Sequence, residues 1–342
     1  MATPAQALNR LTEISLGFCF SQVLFTAIQL GLFEELAAGP AGTEELAQKL
    51  KIHPQGCRRL LAALRHLGLI ESDDGRWRNS AIAEYLTSRS RYPFRALTMM
   101  GGPFYRMWEY AGDALREYSP RWQQALGTTA KETFAALYED PARLRLFTEL
   151  MNAFSLLQGQ EVARRLDFKP YRCLMDVSGG PGGISTQIGV AYPHLKGIIT
   201  DLPPVCKIAE EHIQANGLAG RFSAVAADLL EGPYPAGADV ITLGYILHDW
   251  SDEKCRLILR NCFAALPAGG TLLIIEKVLN PDFSGTPHAL AVDLNMLLVC
   301  ESGARERTEA EYRSLLEEAG FRFGELIRLD SPLRDVIVTR KA

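Results

Sequence analysis

The sequence lacks a basic excess, a closely spaced cysteine pair, an internal repeat and a long apolar run. Its 36 Lys and Arg against 40 Asp and Glu leave a net charge of -4. Nonspecific nucleic-acid binding needs a basic footprint, so that class is excluded. The seven cysteines are odd in number and scattered, with no C-x-x-C. They form neither a disulfide frame nor a zinc site and read as reduced thiols. Cys255 and Cys262 share one face of an expected helix and read as packing. The six histidines are dispersed, none at ligand spacing with a carboxylate, so no metal is expected. No unbroken apolar run reaches the roughly 18 residues of a membrane span. Met1-Ala-Thr-Pro4 has neither the basic start nor the apolar segment of a signal peptide. A cytoplasmic protein that binds neither nucleic acid nor membrane is expected.

What is present is an ordinary globular composition, 47% hydrophobic and 22% charged, in 342 residues. That length suffices for two domains. Residues 1–90 read as helices followed by a wing. Ile14 to Phe33 is apolar around much of its circumference, which a helix left in water cannot be. Thr43 reads as an N-cap, and His53-Pro54 starts a helix with Leu60, Leu61, Leu64 and Leu67 on one side. Leu69 to Arg78 reads as a hairpin turning at Asp74-Gly75. Helix, helix, hairpin is a winged-helix pattern. Without a dense basic face on its second helix, it reads as a dimerisation module rather than a DNA reader. A homodimer is expected, because the first long helix needs a partner.

Residues 91–170 read as a helical linker that lines a substrate pocket and is rich in aromatics. Residues 171–342 alternate strand and helix, which means a mostly parallel sheet covered on both faces. The expected fold is α/β: a Rossmann-like domain whose seven-stranded sheet ends in an antiparallel edge hairpin. The strands are expected at 173–177, 197–201, 222–227, 238–244, 271–277, 322–329 and 334–340. The insertion from Pro281 to Thr308 could reach over the ligand cleft.

The most informative stretch is Leu174-Met-Asp-Val-Ser-Gly-Gly-Pro-Gly-Gly-Ile184. An apolar run meets a glycine cluster, a helix follows, and a second apolar run ends at Asp201. That is the first half of a nucleotide-binding unit. A dinucleotide fingerprint would need a glycine where Ser185 stands. S-adenosylmethionine has no phosphate and needs a glycine turn, an acid for the ribose and a third strand end for the adenine. Asp201, and Asp228-Leu229 after the third run, supply these. Each acid taken alone also reads as a loop or helix cap.

The order Asp176-Val-Ser-Gly-Gly-Pro-Gly182, Thr200-Asp-Leu-Pro203, Ala227-Asp228, Leu247-His-Asp-Trp-Ser-Asp252 and Gly303-Ala-Arg-Glu-Arg-Thr308 resembles the class I S-adenosylmethionine-dependent O-methyltransferases. That family includes plant caffeic-acid, acetylserotonin and bacterial tailoring enzymes. The resemblance covers nearly the whole chain and implies S-adenosyl-L-methionine as cofactor, a small-molecule methyl acceptor and a homodimer. It assigns Ser178, Gly179, Gly180, Gly182, Asp201, Asp228 and Leu229 to the cofactor. Ser178 departs from the family glycine, and a negative φ would let it stand there. His248 matches the general base, with Glu276 and Glu306 as its partners. A lone histidine at such a junction also reads as structural, and Glu306, between Arg305 and Arg307, also reads as a surface ion pair. Asp249 and Ser251 read as helix-start residues and Trp250 as packing. Met151, Phe154, Asn295 and Met296 match substrate-lining positions, although Met and aromatic stripes are often plain core. Asp293 and Asn295 are polar in an apolar helix and call for partners.

An O-methyltransferase is the leading reading. Alternatives are S- or N-methyl transfer on the same fold, a winged-helix ligand-sensing regulator, and a dehydrogenase.

Overall fold

Helix α1 (Pro4–Gln29) begins at a reciprocal cap: the Gln6 amide donates to the Thr3 hydroxyl, and the Gln6 side chain accepts the Thr3 amide. Ala27 is its one fully buried residue. Leu8, Leu11, Ile14, Leu16 and Phe18 are exposed. Polar residues interrupt the apolar run, yet the helix is long and apolar enough to cross a membrane by length and composition. The sequence-based expectation of no such segment is corrected accordingly.

The computed structural model describes residues 2–92, 94–330 and 332–342, apart from the side chains of Met99 and Met100. They form two units, Met1–Tyr105 and Arg106–Ala342. In the first, α2 (Leu32–Ala38), α3 (Thr43–Lys49) and α4 (Pro54–His66) surround a core that includes Phe33, Leu46, Leu61 and Leu64. Gly42, not Thr43, caps α3; Thr43 is its first residue and accepts the Trp77 indole N–H at 3.0 Å. His53 caps α4 through its ring nitrogen. Strands Ile70–Asp73 and Arg76–Asn79 pair antiparallel. Asp74 and Gly75 both carry positive φ, as a two-residue hairpin of the type I′ class requires. Ala41–Gly42 adds a third strand against Arg76–Trp77.

In the second unit the strands are β1 (Cys173–Val177), β2 (Lys196–Asp201), β3 (Phe222–Ala226), β4 (Val240–Gly244), β5 (Thr271–Glu276), β6 (Phe321–Arg328) and β7 (Asp335–Lys341). Their spatial order is β6-β7-β5-β4-β1-β2-β3. The pairs from β5 through β3 are parallel, and β7 is antiparallel to both β5 and β6. Strand limits agree with the expected ones to within two residues. The turn between β6 and β7 contains Ser331, outside the described residues.

The apolar runs are continuous because both faces are covered. Met175, Val177, Ile241, Leu243 and Ile274 join one core with Ile258, Leu259 and Cys262 of α9 and Leu315 and Leu316 of α11. Leu174, Val240, Leu273 and Ile275 join the other, with Val162 of α6 and Ile184 and Ile188 of α7. These helices are α5 (Ala130–Glu139), α6 (Pro141–Arg165), α7 (Gly183–Ala191), α8 (Pro203–Ala215), α9 (Asp252–Ala265), α10 (Pro287–Val299) and α11 (Glu309–Glu318). The carboxyl ends of β1, β2, β4 and β5 open along one edge, where the candidate residues lie.

Candidate active site

The loop after β1 turns through positive φ at Ser178, Gly180 and Gly182. Ser178 has φ +54°, so the negative φ that would suit a serine is not what the chain adopts. A left-handed conformation costs a non-glycine residue about 1–2 kcal/mol. Two glycines are needed for space. A Cβ on Gly179 would come within 2.6 Å of the Asp176 carboxyl, and one on Gly182 within 2.3 Å of Ile199 Cδ1. Gly180 instead faces open space, as the wall of a ligand cradle does.

That cradle is tied to the end of β2. The Gly180 amide donates to Asp201 Oδ2 at 2.8 Å, and the Leu202 amide to Oδ1 at 2.7 Å. Each carboxylate oxygen keeps a lone pair for a further donor. Burial pushes the Asp201 carboxyl up to about 6, against the pull of the two amides. Asp228 is exposed and caps its own turn, accepting the Leu230 amide at 2.7 Å. Leu229 is half-buried against the core, and its carbonyl accepts the Tyr234 hydroxyl. The open cradle, the half-buried ribose-type acid and the Asp228-Leu229 shelf fit a nucleoside ligand without a phosphate.

His248 sits in a short helical turn, Leu247–Asp249, beyond β4 and is 4% exposed. Its Nδ1 lies 2.9 Å from Glu306 Oε1, and Glu306 is itself 2% exposed. Glu306 is therefore no surface ion pair. Its flanking arginines turn away: Arg305 pairs with Asp252 and Glu311, while buried Arg307 donates to the Leu247 and Trp250 carbonyls and to Asp252. Asp293 accepts the Glu306 amide at 2.9 Å, the partner that a carboxylate in apolar α10 requires. Burial opposes a charged imidazole, but Glu306 and then Asp249 outweigh it, raising His248 to about 10. Burial raises Glu306 as well, against the pull of His248. The pair therefore holds one proton tightly.

Glu276 is 1% exposed but bonds elsewhere than the ring. It accepts the Ile246 and Leu247 amides and the Tyr312 hydroxyl. It acts on His248 through the backbone that presents it, a correction to the expected direct partnership. Asp249 is also not a helix-start residue. Its Oδ1 lies 3.5 Å from His248 Nε2 and accepts the Cys300 thiol. Ser251 is the N-cap of α9, and Trp250 packs on the core.

The expected substrate-lining residues come together in part. Phe154 on α6 stacks on Tyr245, 6.3 Å between centroids, and Tyr245 meets His248 edge-on at 5.8 Å. Met151 stands three residues earlier on α6, on the same helix face as Phe154. Met296 is buried and takes the Cys300 thiol on its sulfur. It thus joins the thiol and Asp249 beside His248. Asn295 accepts the Trp108 indole N–H at 3.2 Å.

Four residues near this site escaped the sequence reading. Tyr245 has φ +62° in the turn after β4. Burial, then the Asp201 and Asp249 carboxylates, push the Tyr138 phenol up to about 12, so α5 carries a hydroxyl toward the same acids. Arg307 and Arg334 are fully buried guanidiniums. No spacing signal distinguishes any of the four from surface or core residues.

Residues 108–322 match the O-methyltransferase domain, and residues 12–89 match the O-methyltransferase dimerisation domain. The second match answers the choice between a dimerisation module and a DNA-binding regulator. The chain is 37% identical over 332 residues to 3-hydroxy-5-methyl-1-naphthoate 3-O-methyltransferase of Streptomyces sahachiroi, across 94% of this chain and 92% of that one. It is 33% identical over 342 residues to the N,N-dimethyltransferase OxyT of Streptomyces rimosus, across 99% and 97%. Human N-acetylserotonin methyltransferase in complex with SAM aligns over 100% of both chains, with a TM-score of 0.91 at 30% identity.

Proposed function

The chain belongs to the O-methyltransferase family, and on that premise we propose that His248 is the general base for methylation of a hydroxyl on a small, flat acceptor. The protein is an S-adenosylmethionine-dependent methyltransferase of small molecules. When bound, S-adenosylmethionine supplies an electrophilic sulfonium methyl group. The glycine loop would lie under its methionine part, Asp201 would hold the ribose, and the Asp228-Leu229 shelf would hold the adenine.

The observation that carries the proposal is the buried His248–Glu306 pair. Glu306 fixes the ring with Nδ1 toward the carboxylate and leaves Nε2 as the atom that takes the hydroxyl proton. A ring raised to about 10 has a proton affinity close to that of a phenolate, since an ordinary phenol titrates near 10. Proton transfer between the two is then nearly balanced, while the free base is a minor form at neutral pH. The rest of the rate comes from holding the oxygen in line. Phe154, half-buried against Tyr245, offers an aromatic surface for a flat acceptor. The naphthoate named for the Streptomyces sahachiroi relative is an acceptor of that shape.

A second reading is N-methylation, favoured by the likeness to OxyT. An amine free base is already a nucleophile and needs His248 less. We propose a homodimer as the working form. It is supported by the dimerisation-domain match and by the exposed apolar side chains of α1. The test is product analysis by NMR after incubation with S-adenosylmethionine and a panel of naphthols, hydroxynaphthoates, arylamines and thiols. O-methyl ethers are expected; exclusive N- or S-methyl products would contradict the proposal.

A further inference from the structure

Arg334 is fully buried just before β7. Asp335 follows it and pairs with Glu276, the last residue of β5, so Arg334 lies at the carboxyl edge of the sheet. Its guanidinium rests on the face of the Tyr245 ring. Tyr245 in turn touches Phe154 and His248. The guanidinium is therefore one ring away from the proposed base.

Among the described residues, this guanidinium donates one hydrogen bond, from one terminal nitrogen to the Leu333 carbonyl at 2.6 Å. Its Nε and other terminal nitrogen have no partner among the described residues, and neither has the buried hydroxyl of Tyr245. Asp335 does not answer for them. Its carboxylate is occupied by Lys277 at 3.2 Å, Arg328 at 2.7 Å and the Val278 amide at 3.1 Å. Two cations thus occupy that carboxylate, and Arg334 is left without a bonded anion among the described residues. Nε and one terminal nitrogen form the edge of a guanidinium fork, whose complement is a planar two-oxygen anion. Buried donors are otherwise paired.

We infer that Arg334 is a carboxylate receptor of the ligand cleft, with the Tyr245 ring holding the fork in place. The inference rests on the methyltransferase reading and deepens it, since it requires a carboxylate on one of the two ligands. The amino-acid end of the cofactor carries one, and a hydroxyaryl acid acceptor would carry another. Burial without a bonded counter-charge holds Arg334 well below the usual guanidinium range, and an arriving carboxylate would supply that counter-charge.

The experiment is calorimetric titration of wild type, Arg334→Met and Arg334→Lys, with melting temperatures recorded for each. S-adenosylhomocysteine is compared with 5′-methylthioadenosine, which lacks the amino-acid end. On protein saturated with S-adenosylhomocysteine, 3-hydroxy-1-naphthoate is compared with 2-naphthol. A loss of tenfold or more for Arg334→Met confined to S-adenosylhomocysteine assigns Arg334 to the cofactor carboxylate. The same loss confined to the hydroxynaphthoate assigns it to an acid acceptor. Arg334→Lys, which keeps the charge but not the fork, should keep part of the affinity, and Arg334→Met should melt no lower than wild type. Equal binding of every ligand by wild type and Arg334→Met would overturn the inference alone. So would a lower melting temperature with all ligands weakened alike, the mark of a structural arginine. Failure of wild type to bind S-adenosylhomocysteine would contradict the methyltransferase reading and the inference with it.

Discussion

His248 Nδ1 and Glu306 Oε1 lie 2.9 Å apart with both side chains out of water. The two come from distant loops, one after β4 and one before α11. Arg307 lashes the loops together by donating to the Leu247 and Trp250 carbonyls. Turning the ring would break its bond to buried Glu306 and carry Nε2 away from Asp249.

A pH dependence follows from that pair. The free imidazole is the active form, and it is populated as pH rises toward the histidine value of about 10. Wild-type kcat/KM should climb by roughly tenfold per unit across neutral pH and level off only in the alkaline range. In Glu306→Gln the largest charge favouring the imidazolium is gone while Asp249 remains, so the ring should titrate below about 10. The acid limb should move to lower pH, and the plateau should be about tenfold lower or more, because a weaker base has replaced a stronger one. An unchanged acid limb in Glu306→Gln would contradict this.

Asp201 should make cofactor affinity fall in acid. Its carboxyl titrates at about 6, and only the charged form is an acceptor on both oxygens. Affinity for S-adenosylhomocysteine should be constant above that value and drop about tenfold per unit below it. Asp201→Asn should bind more weakly, by about 1.5–3 kcal/mol, and lose the acid slope. Calorimetry at pH 5, 6 and 7.5 checks both.

Ser178→Gly should stabilise the protein by about 1 kcal/mol, since the left-handed φ of +54° costs serine more than glycine. Denaturant melts measure this. A destabilised glycine variant would mean that the serine side chain contributes more than its backbone costs.

Ile14→Glu should separate the protein into monomers by light scattering. Ile14 is exposed on α1 beside Leu11 and Phe18, and burying such a side chain is worth about 1.5–3 kcal/mol. A charge placed there would have to be dehydrated in the dimer. An unchanged dimer mass would move the interface elsewhere.

Much of this molecule was legible in its residues. Apolar runs such as Leu272 to Ile275, short and bounded by Gly270 and Glu276, mark buried strands. The glycines after Val177 and the acid ending β2 mark the cradle by local spacing. Charged residues whose meaning depends on partners far along the chain were less legible. Glu276 looks like a ligand of the histidine until its two backbone amides and Tyr312 are seen. Arg305 and Arg307 look like a surface pair for Glu306 until each is found bonded elsewhere. Arg334 gives no sign at all, because burial of a guanidinium follows from tertiary packing and from no pattern of neighbours. The sign of φ at Ser178 belongs to the same class, since the turn around it imposes it.

The most direct test of the account is methyl transfer by His248→Gln to an acceptor that wild type converts to an O-methyl ether, measured with S-adenosylhomocysteine binding on the same protein. The account predicts that kcat falls by about a hundredfold to ten-thousandfold while cofactor affinity stays within a factor of two or three. Near-wild-type kcat with intact binding would show that the hydroxyl proton leaves by another route, and the role given to His248 would be wrong.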